Sequence, residues 1–338
     1  MHLGTFSDFT ECYISLIDKV YNEPEYESAP RNQNIKEVIG ASFTIEDPRC
    51  RIPFTVGRKF SMSYMVAELV WYLSGNNSTE WISNHSGFWK NISDDGVTAN
   101  SAYGARLFRP NEKIAGGRLT QIDYILDELR RDSDSRRAVL HIRVPDDSID
   151  AKLDVPCTLA LQFFIRDGKL HQVANMRSSD LIFGIAYDIP AFTLFQEMIA
   201  NELGVGLGSY THVSNSLHIY ERHFEMAEEI LNAVNVTTSK SFNRQVGEMP
   251  AFSQGVKQML GGAKQLSDVE TQIQTCATEA EVLRLVDESL NSFAQPFSDW
   301  LRVLAAARLK KISKGSETAH QLLQGAEYDG YKFKRREI

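Results

Sequence analysis

An Asp-Gly pair at positions 167 and 168 commits this chain to a β-sheet. It separates two runs of strand formers, TLALQFFIR (158–166) and KLHQVANM (169–176). Both residues tolerate the left-handed backbone of a two-residue hairpin loop, so the runs are predicted to pair antiparallel. The remaining pattern says how such a sheet is covered. Residues 61–73 (SMSYMVAELVWYL) are apolar on every side and predict a helix buried all round, closed by Ser74-Gly75-Asn76-Asn77. Phe9, Tyr13, Leu16, Ile17 and Val20 stand at helical spacing in residues 7–21, and residues 119–131 share that period. Another buried helix is expected from near Pro190, which suits a first turn, to Leu203. Residues 35–45 read as a strand with a turn, 138–144 as a strand, and 84–104, rich in Asn, Ser, Asp and Gly, as a long loop. After His223 the spacing is helical to residue 312, with a core stripe that includes Leu283, Val286, Trp300 and Leu304. Gly261-Gly262 reads as a break between helices. The expected organisation is one domain over 1–338, with 224–325 a largely helical extension.

Composition narrows the function. With 43% hydrophobic and 24% charged residues the chain is ordinary for a globular protein. No apolar run is long enough for a bilayer, and MHLGTFSDFTE lacks a basic region followed by an apolar stretch. A cytoplasmic setting is expected, or a host cytoplasm for a viral protein, with no membrane partner. The net charge is −8 and the only basic tract is Lys334 to Arg336, which disfavours nucleic acid. A phosphorylated small molecule stays open, because a few arginines suffice to hold it. The four cysteines, Cys12, Cys50, Cys157 and Cys276, form no CxxC and no zinc-like spacing, so free thiols and no metal are expected. Cys12, Cys50 and Cys276 read as small buried hydrophobes.

Cys157 differs from them. It follows a proline at the mouth of a strand, and the hairpin returns the chain to Arg177-Ser178-Ser179-Asp180. A nucleophilic thiol needs nearby positive charge, which Arg177 is placed to give, although the residues alone leave a buried structural thiol open. Arg177-Ser178 and Arg136-Arg137 offer guanidiniums suited to phosphate; the plain alternative is a solvated surface pair. Glu68 lies within an otherwise apolar helix. Burying it costs several kcal/mol, so it is expected to be paired, protonated or functional. Asp188 reads as a capping carboxylate just before a helix, and His218 and Tyr220 as polar groups on one strand-like face.

These pieces, in this order, resemble the thymidylate synthase and deoxycytidylate hydroxymethylase superfamily. The residues that carry the resemblance are Arg136-Arg137, Pro156-Cys157, Arg177-Ser178-Ser179-Asp180, Gly184, Asp188 and His218-x-Tyr220, with a looser match at Arg31, Glu68, Trp89 and Tyr103-Gly104. The match is strongest from Ser135 to His223 and weak after residue 224. The resemblance implies an α+β fold, a large twisted mixed sheet covered by helices, in a homodimer with shared sites. It implies that Cys157 attacks C6 of a pyrimidine nucleoside monophosphate and that C5 takes a carbon from 5,10-methylenetetrahydrofolate. Arg31, Arg177 and Ser178 would hold the phosphate, joined by Arg136 and Arg137 of the other subunit. His218 and Tyr220 would bind the sugar 3′-hydroxyl. Trp89, Asp180 and Gly184 would face the cofactor, Tyr103 would help remove the C5 proton, and Glu68 would order proton transfers at the base.

Four departures bear on substrate and product: Asp188 where thymidylate synthases carry Asn, Thr158 where uracil-using relatives carry His, Met176 for a family Gln, and Ile92 near a second family Trp. Cytosine presents an NH₂ at C4 and an unprotonated N3, which a carboxylate accommodates better than it does uracil O4. The expectation is a dCMP 5-hydroxymethylase. The alternatives are a CMP hydroxymethylase, a dCMP methyltransferase, a thymidylate synthase on dUMP, and a non-catalytic nucleotide- or RNA-binding relative.

Overall fold

The computed structural model describes residues 1–332 except 56, 59, 111–118, 149–151, 237–247 and 315. Lys334 to Arg336 therefore lie outside the described residues.

Among the described residues, eight strands form one mixed sheet. They are β1 (His2–Phe6), β2 (Tyr26–Ser28), β3 (Ile35–Ile45), β4 (Val139–His141), β5 (Thr158–Arg166), β6 (Lys169–Met176), β7 (Ser179–Asp180) and β8 (Gly206–Tyr220). The main order is β1-β3-β8-β6-β5-β4, with β2 on β3 and β7 on β8. The expected hairpin is β5–β6: Arg166 pairs with Lys169, and Asp167 and Gly168 sit at φ 50° and 70°, the left-handed pair that such a loop needs. β6 then runs parallel to β8, which carries His218 and Tyr220 past the end of the hairpin.

Helices α1 (Phe9–Asn22), α2 (Met62–Leu73), α6 (Gln121–Arg131) and α7 (Ile185–Leu203) fall where apolar periodicity places them. Asp8 caps α1 by accepting from the Glu11 amide, and Thr120 and Asp123 form a capping box on α6. Side chains alternate along the strands. Phe43, Phe163 and Tyr210 are fully buried, whereas Thr44, Phe164, Val173, Thr211 and Val213 on the opposite face are half-buried.

Five expectations need correction. The segment 84–104 is not one loop: it holds α4 (Phe88–Ile92) and runs into α5 (Tyr103–Leu107), after the short α3 (Thr79–Ser83). The strand expected at 138–144 ends at His141, because Arg106 clamps Asp147 at 2.7 Å and Asp147 also accepts from the Val144 amide, turning the chain away. Residues 35–45 stay one strand, with Gly40 absorbing a φ of 67° without a turn. The helix expected from Pro190 starts at Ile185, so Asp188 lies in its first turn and not ahead of it. Gly261-Gly262 does not break a helix but lies inside one.

The helices after His223 are α8 (Phe224–Val236), α9 (Val256–Thr275), α10 (Glu279–Leu290), α11 (Phe297–Ile312) and α12 (Glu317–Gln324). A Cβ on Gly262 would stand 2.4 Å from a ring carbon of Phe297, so the glycine lets α9 and α11 approach. Both helices pack on α2, and α9 also packs on α7. Trp81 Nε1 donates to the Ser267 carbonyl at 3.4 Å, and His85 pairs with Glu270 at 2.8 Å in a buried setting. Cys12, Cys50 and Cys276 are buried, as expected of small hydrophobes. No helix among the described residues is long and apolar enough to cross a membrane.

Candidate active site

The site forms at the end of the sheet where β5 starts and β6 stops. Cys157 stands just before β5, and the amide of Arg177, just after β6, donates to the Cys157 carbonyl at 2.9 Å. The Arg177 guanidinium is fixed by the carbonyls of Pro156 and Val155, both at 2.9 Å, and reaches the Cys157 sulfur at 3.5 Å. Burial pushes the Cys157 thiol up; Arg177 opposes this most strongly, Asp188 adds to it, and Arg31 opposes it again. Burial thus favours the thiol, while the guanidinium beside it favours the thiolate.

A second cluster surrounds Glu68 on α2. Its Oε1 accepts from Tyr64 at 2.6 Å and from Tyr72 at 3.4 Å, and the Trp89 indole donates to the Tyr64 hydroxyl at 3.0 Å. Burial raises Glu68 to about 7, against the lowering effect of both phenols. Asp188 on α7 is pushed well above the usual carboxylate range by burial, then by the charges of Glu68 and Asp180, while the Tyr103 hydroxyl holds it down. Tyr103 stacks on Tyr72 at 5.2 Å. Gly104 makes this possible: a Cβ there would sit 1.8 Å from the Tyr72 carbonyl oxygen. Cys157, Glu68, Tyr103 and Asp188 are thus brought within electrostatic reach of one another. The buried Glu68 is paired, as one of the expectations had it, and its partners are phenols.

Beside the thiol lies a cleft of about 500 Å³ lined by Arg31, Arg177, Ser178, His218 and Tyr220, together with Arg143 and Lys152. Arg31 holds a left-handed φ of 54°, a conformation that costs a non-glycine residue about 1–3 kcal/mol. His218 Nδ1 lies 3.3 Å from the Ser216 carbonyl, its ring meets Tyr220 edge-on at 4.8 Å, and burial holds its pKa below the usual value. Arg136 and Arg137 precede β4, are exposed, and do not line the cleft. Asp180 accepts from the Ile182 amide at 2.9 Å, and a Cβ on Gly184 would press within 2.8 Å of the Asp180 carbonyl. Of the four departures, Thr158 is fully buried, and its hydroxyl approaches that of Tyr103 without closing a hydrogen bond. Met176 is buried opposite Thr158 on β6, and Ile92 is half-buried on α4.

Sequence reading missed three cations. Arg143 and Lys152 line the cleft from the segment between β4 and β5. Arg58 is fully buried, with its guanidinium 5.3–5.7 Å from the rings of Tyr13, Phe60, Phe183 and Tyr187. It approaches the Tyr187 hydroxyl without closing a hydrogen bond, and none of its side-chain nitrogens has a partner among the described residues. Leaving these donors unpaired is costly, and the surrounding ring faces offset part of that cost.

The family model for thymidylate synthase matches residues 11–249, and the chain belongs to the thymidylate synthase family. It is 33% identical over 227 residues to a deoxyuridylate hydroxymethyltransferase of Bacillus phage SP01, covering 65% of this chain and 59% of that protein. It is 30% identical over 176 residues to a thymidylate synthase of Bacillus phage phi3T, covering 52% of this chain and 63% of that one. The chain thus spans about three-fifths of the length of these relatives. The thermostable thymidylate synthase A from Bacillus subtilis superposes with a TM-score of 0.55 at 24% identity over 66% of this chain and 84% of that one, a likeness of fold. The expected fold is borne out. The family match ends at 249, so α9 to α12 lie outside it.

Proposed function

We propose that this protein transfers a one-carbon unit from 5,10-methylenetetrahydrofolate to C5 of dCMP with addition of water, giving 5-hydroxymethyl-dCMP. The observation that carries the reading is Asp188, a carboxyl placed among Cys157, Tyr103 and Glu68 in a family whose synthases carry an amide there. Ionised, Asp188 accepts from the cytosine 4-amino group and from N3 once that is protonated; it repels uracil O4.

In this reading Cys157 adds to C6, which makes C5 nucleophilic, and Arg177 supports the thiolate. Arg31, Arg177 and Ser178 hold the phosphate, and His218 and Tyr220 the 3′-hydroxyl. With a pKa of about 7, Glu68 can both give and take a proton near neutrality, which suits it to proton transfer at the base. Tyr103, which lies beside Asp188, would assist loss of the C5 proton. Trp89, Asp180 and Gly184 would hold the folate. When bound, the folate supplies the carbon at the oxidation level of formaldehyde.

The half-buried sheet face bearing Thr44, Phe164, Val173 and Val213 supports a homodimer in which Arg136 and Arg137 reach the partner's site. Residues 1–338 are read as one domain.

A second reading is favoured by the 33% identity to a deoxyuridylate hydroxymethyltransferase: the same water addition on dUMP. A neutral Asp188 can donate to O4 and accept from N3–H, so a carboxyl held protonated by Glu68 and burial admits uracil. Mass spectrometry of products from methylenetetrahydrofolate with equimolar dCMP, CMP and dUMP separates the readings. A gain of CH₂O on dCMP supports the first. The same gain on dUMP or CMP moves the substrate, and a gain of CH₂ on dUMP means thymidylate synthesis. Nucleotide bound with no product would favour a binding protein.

A further inference from the structure

The cleft beside Cys157 holds more positive charge than the roles assigned above use. Arg31, Arg143, Lys152 and Arg177 line it, with Glu37 as the carboxylate among them. Glu37 is engaged by the hydroxyls of Ser28 at 2.8 Å and Ser216 at 2.7 Å. The side-chain partners seen for three of the cations are uncharged. Arg177 donates to the Pro156 and Val155 carbonyls, Arg143 to the Ser148 hydroxyl at 2.9 Å, and Lys152 approaches the Asp146 carbonyl at 3.4 Å. Among the described residues, no carboxylate pairs with these three cations, so their charge stays available to a ligand. In a chain of net charge −8, holding four such groups around one cleft runs against composition, and mutual repulsion is the cost of keeping them there.

We infer that Arg143 and Lys152 belong to the nucleotide's phosphate site, so that one chain carries four cations for the 5′-phosphate before a partner subunit contributes anything. This rests on reading the cleft as the nucleotide site. Both residues lie in the segment between β4 and β5 that leads into Cys157, so phosphate binding would tie that segment to the nucleotide beside the thiol. Ser178 and the Arg177 fork supply directional bonds, whereas Lys152 adds a mobile point charge.

The test is calorimetric binding of dCMP, deoxycytidine and inorganic phosphate to the full chain and to R143Q, K152Q and the double variant, at two salt concentrations. Both side chains are part-exposed, and unfolding curves of each variant establish that the fold is kept. The double variant is expected to weaken dCMP and inorganic phosphate by about tenfold or more, to flatten the salt dependence of dCMP binding, and to leave deoxycytidine unaffected. Equal dCMP affinity and equal salt dependence in the folded double variant would overturn the inference while leaving the function standing. If the unaltered protein binds inorganic phosphate but no pyrimidine nucleotide, and the variants lose that phosphate, the function falls and the cation site remains. Binding of neither overturns both.

Discussion

Replacing Asp188 by Asn tests the chemistry of base choice directly. The carboxyl is isosteric with the amide, so packing of α7 is preserved and only charge and hydrogen-bond character change. In the proposed binding mode an ionised Asp188 would turn a lone pair toward uracil O4, and the amide would remove that repulsion and donate there. A buried polar mismatch of this kind is worth about 1–3 kcal/mol, so the ratio of kcat/KM for dUMP over dCMP should rise by about 10- to 100-fold in Asp188→Asn. The unaltered protein should carry a matching pH signature. Burial and Glu68 hold Asp188 above the usual carboxylate range, so its neutral form, which pairs with either base, prevails at the low end. As pH rises through its pKa the ionised form grows, and preference for dCMP over dUMP should rise with it. Asp188→Asn should abolish that pH dependence. Competition between the two nucleotides at several pH values, read by product mass, measures both effects. An unchanged ratio in the variant would refute the assignment of base recognition to this side chain.

Other outcomes follow from the same geometry. Glu68 titrates near 7 in the fold against 4.5 unfolded, so its burial favours the folded state below 4.5 relative to high pH and that advantage is lost as pH rises through about 7. Glu68→Gln should therefore raise stability at pH 8 by up to about 3 kcal/mol and change it little at pH 4, while slowing turnover by about 100-fold or more; denaturant curves at the two pH values and single-turnover rates measure each part. Gly262→Ala should lower the unfolding midpoint, because its Cβ overlaps the Phe297 ring and overpacking costs about 1–3 kcal/mol. A mixture of Cys157→Ala and Arg136→Ala/Arg137→Ala chains, each inactive alone, should regain activity if the dimer shares its sites, because some mixed dimers hold one intact site; no recovery after subunit exchange would refute sharing.

Much of this architecture was legible because it depends on local signals. Asp167-Gly168 fixed the register of β5 and β6, and the apolar run of residues 61–73 could only be a buried helix. The short helices α4 and α5 escaped because five residues carry too little periodicity against a background of Asn, Ser and Gly. Gly261-Gly262 misled because a glycine that admits a neighbouring helix looks, in sequence, like one that ends its own. At the site, Cys157 and Arg177 were readable through the hairpin that joins them. Glu68 was visible as an anomaly, but its phenolic partners were not, since Tyr64 and Tyr72 look like ordinary members of an apolar helix. Arg58, Arg143 and Lys152 gave no signal because their surroundings come from segments far apart in the chain.

The packing of α9 and α11 on α2 has a practical corollary. The helix that carries Glu68 is apolar on all sides, and part of its cover comes from residues beyond the family match. A fragment cut at residue 249 would expose that surface to water, strand the Trp81 indole, and leave His85 without Glu270. The edge of the family resemblance is therefore a line drawn through a continuous interior, and α9 and α11 form part of the wall against which the proposed catalytic carboxyl is set.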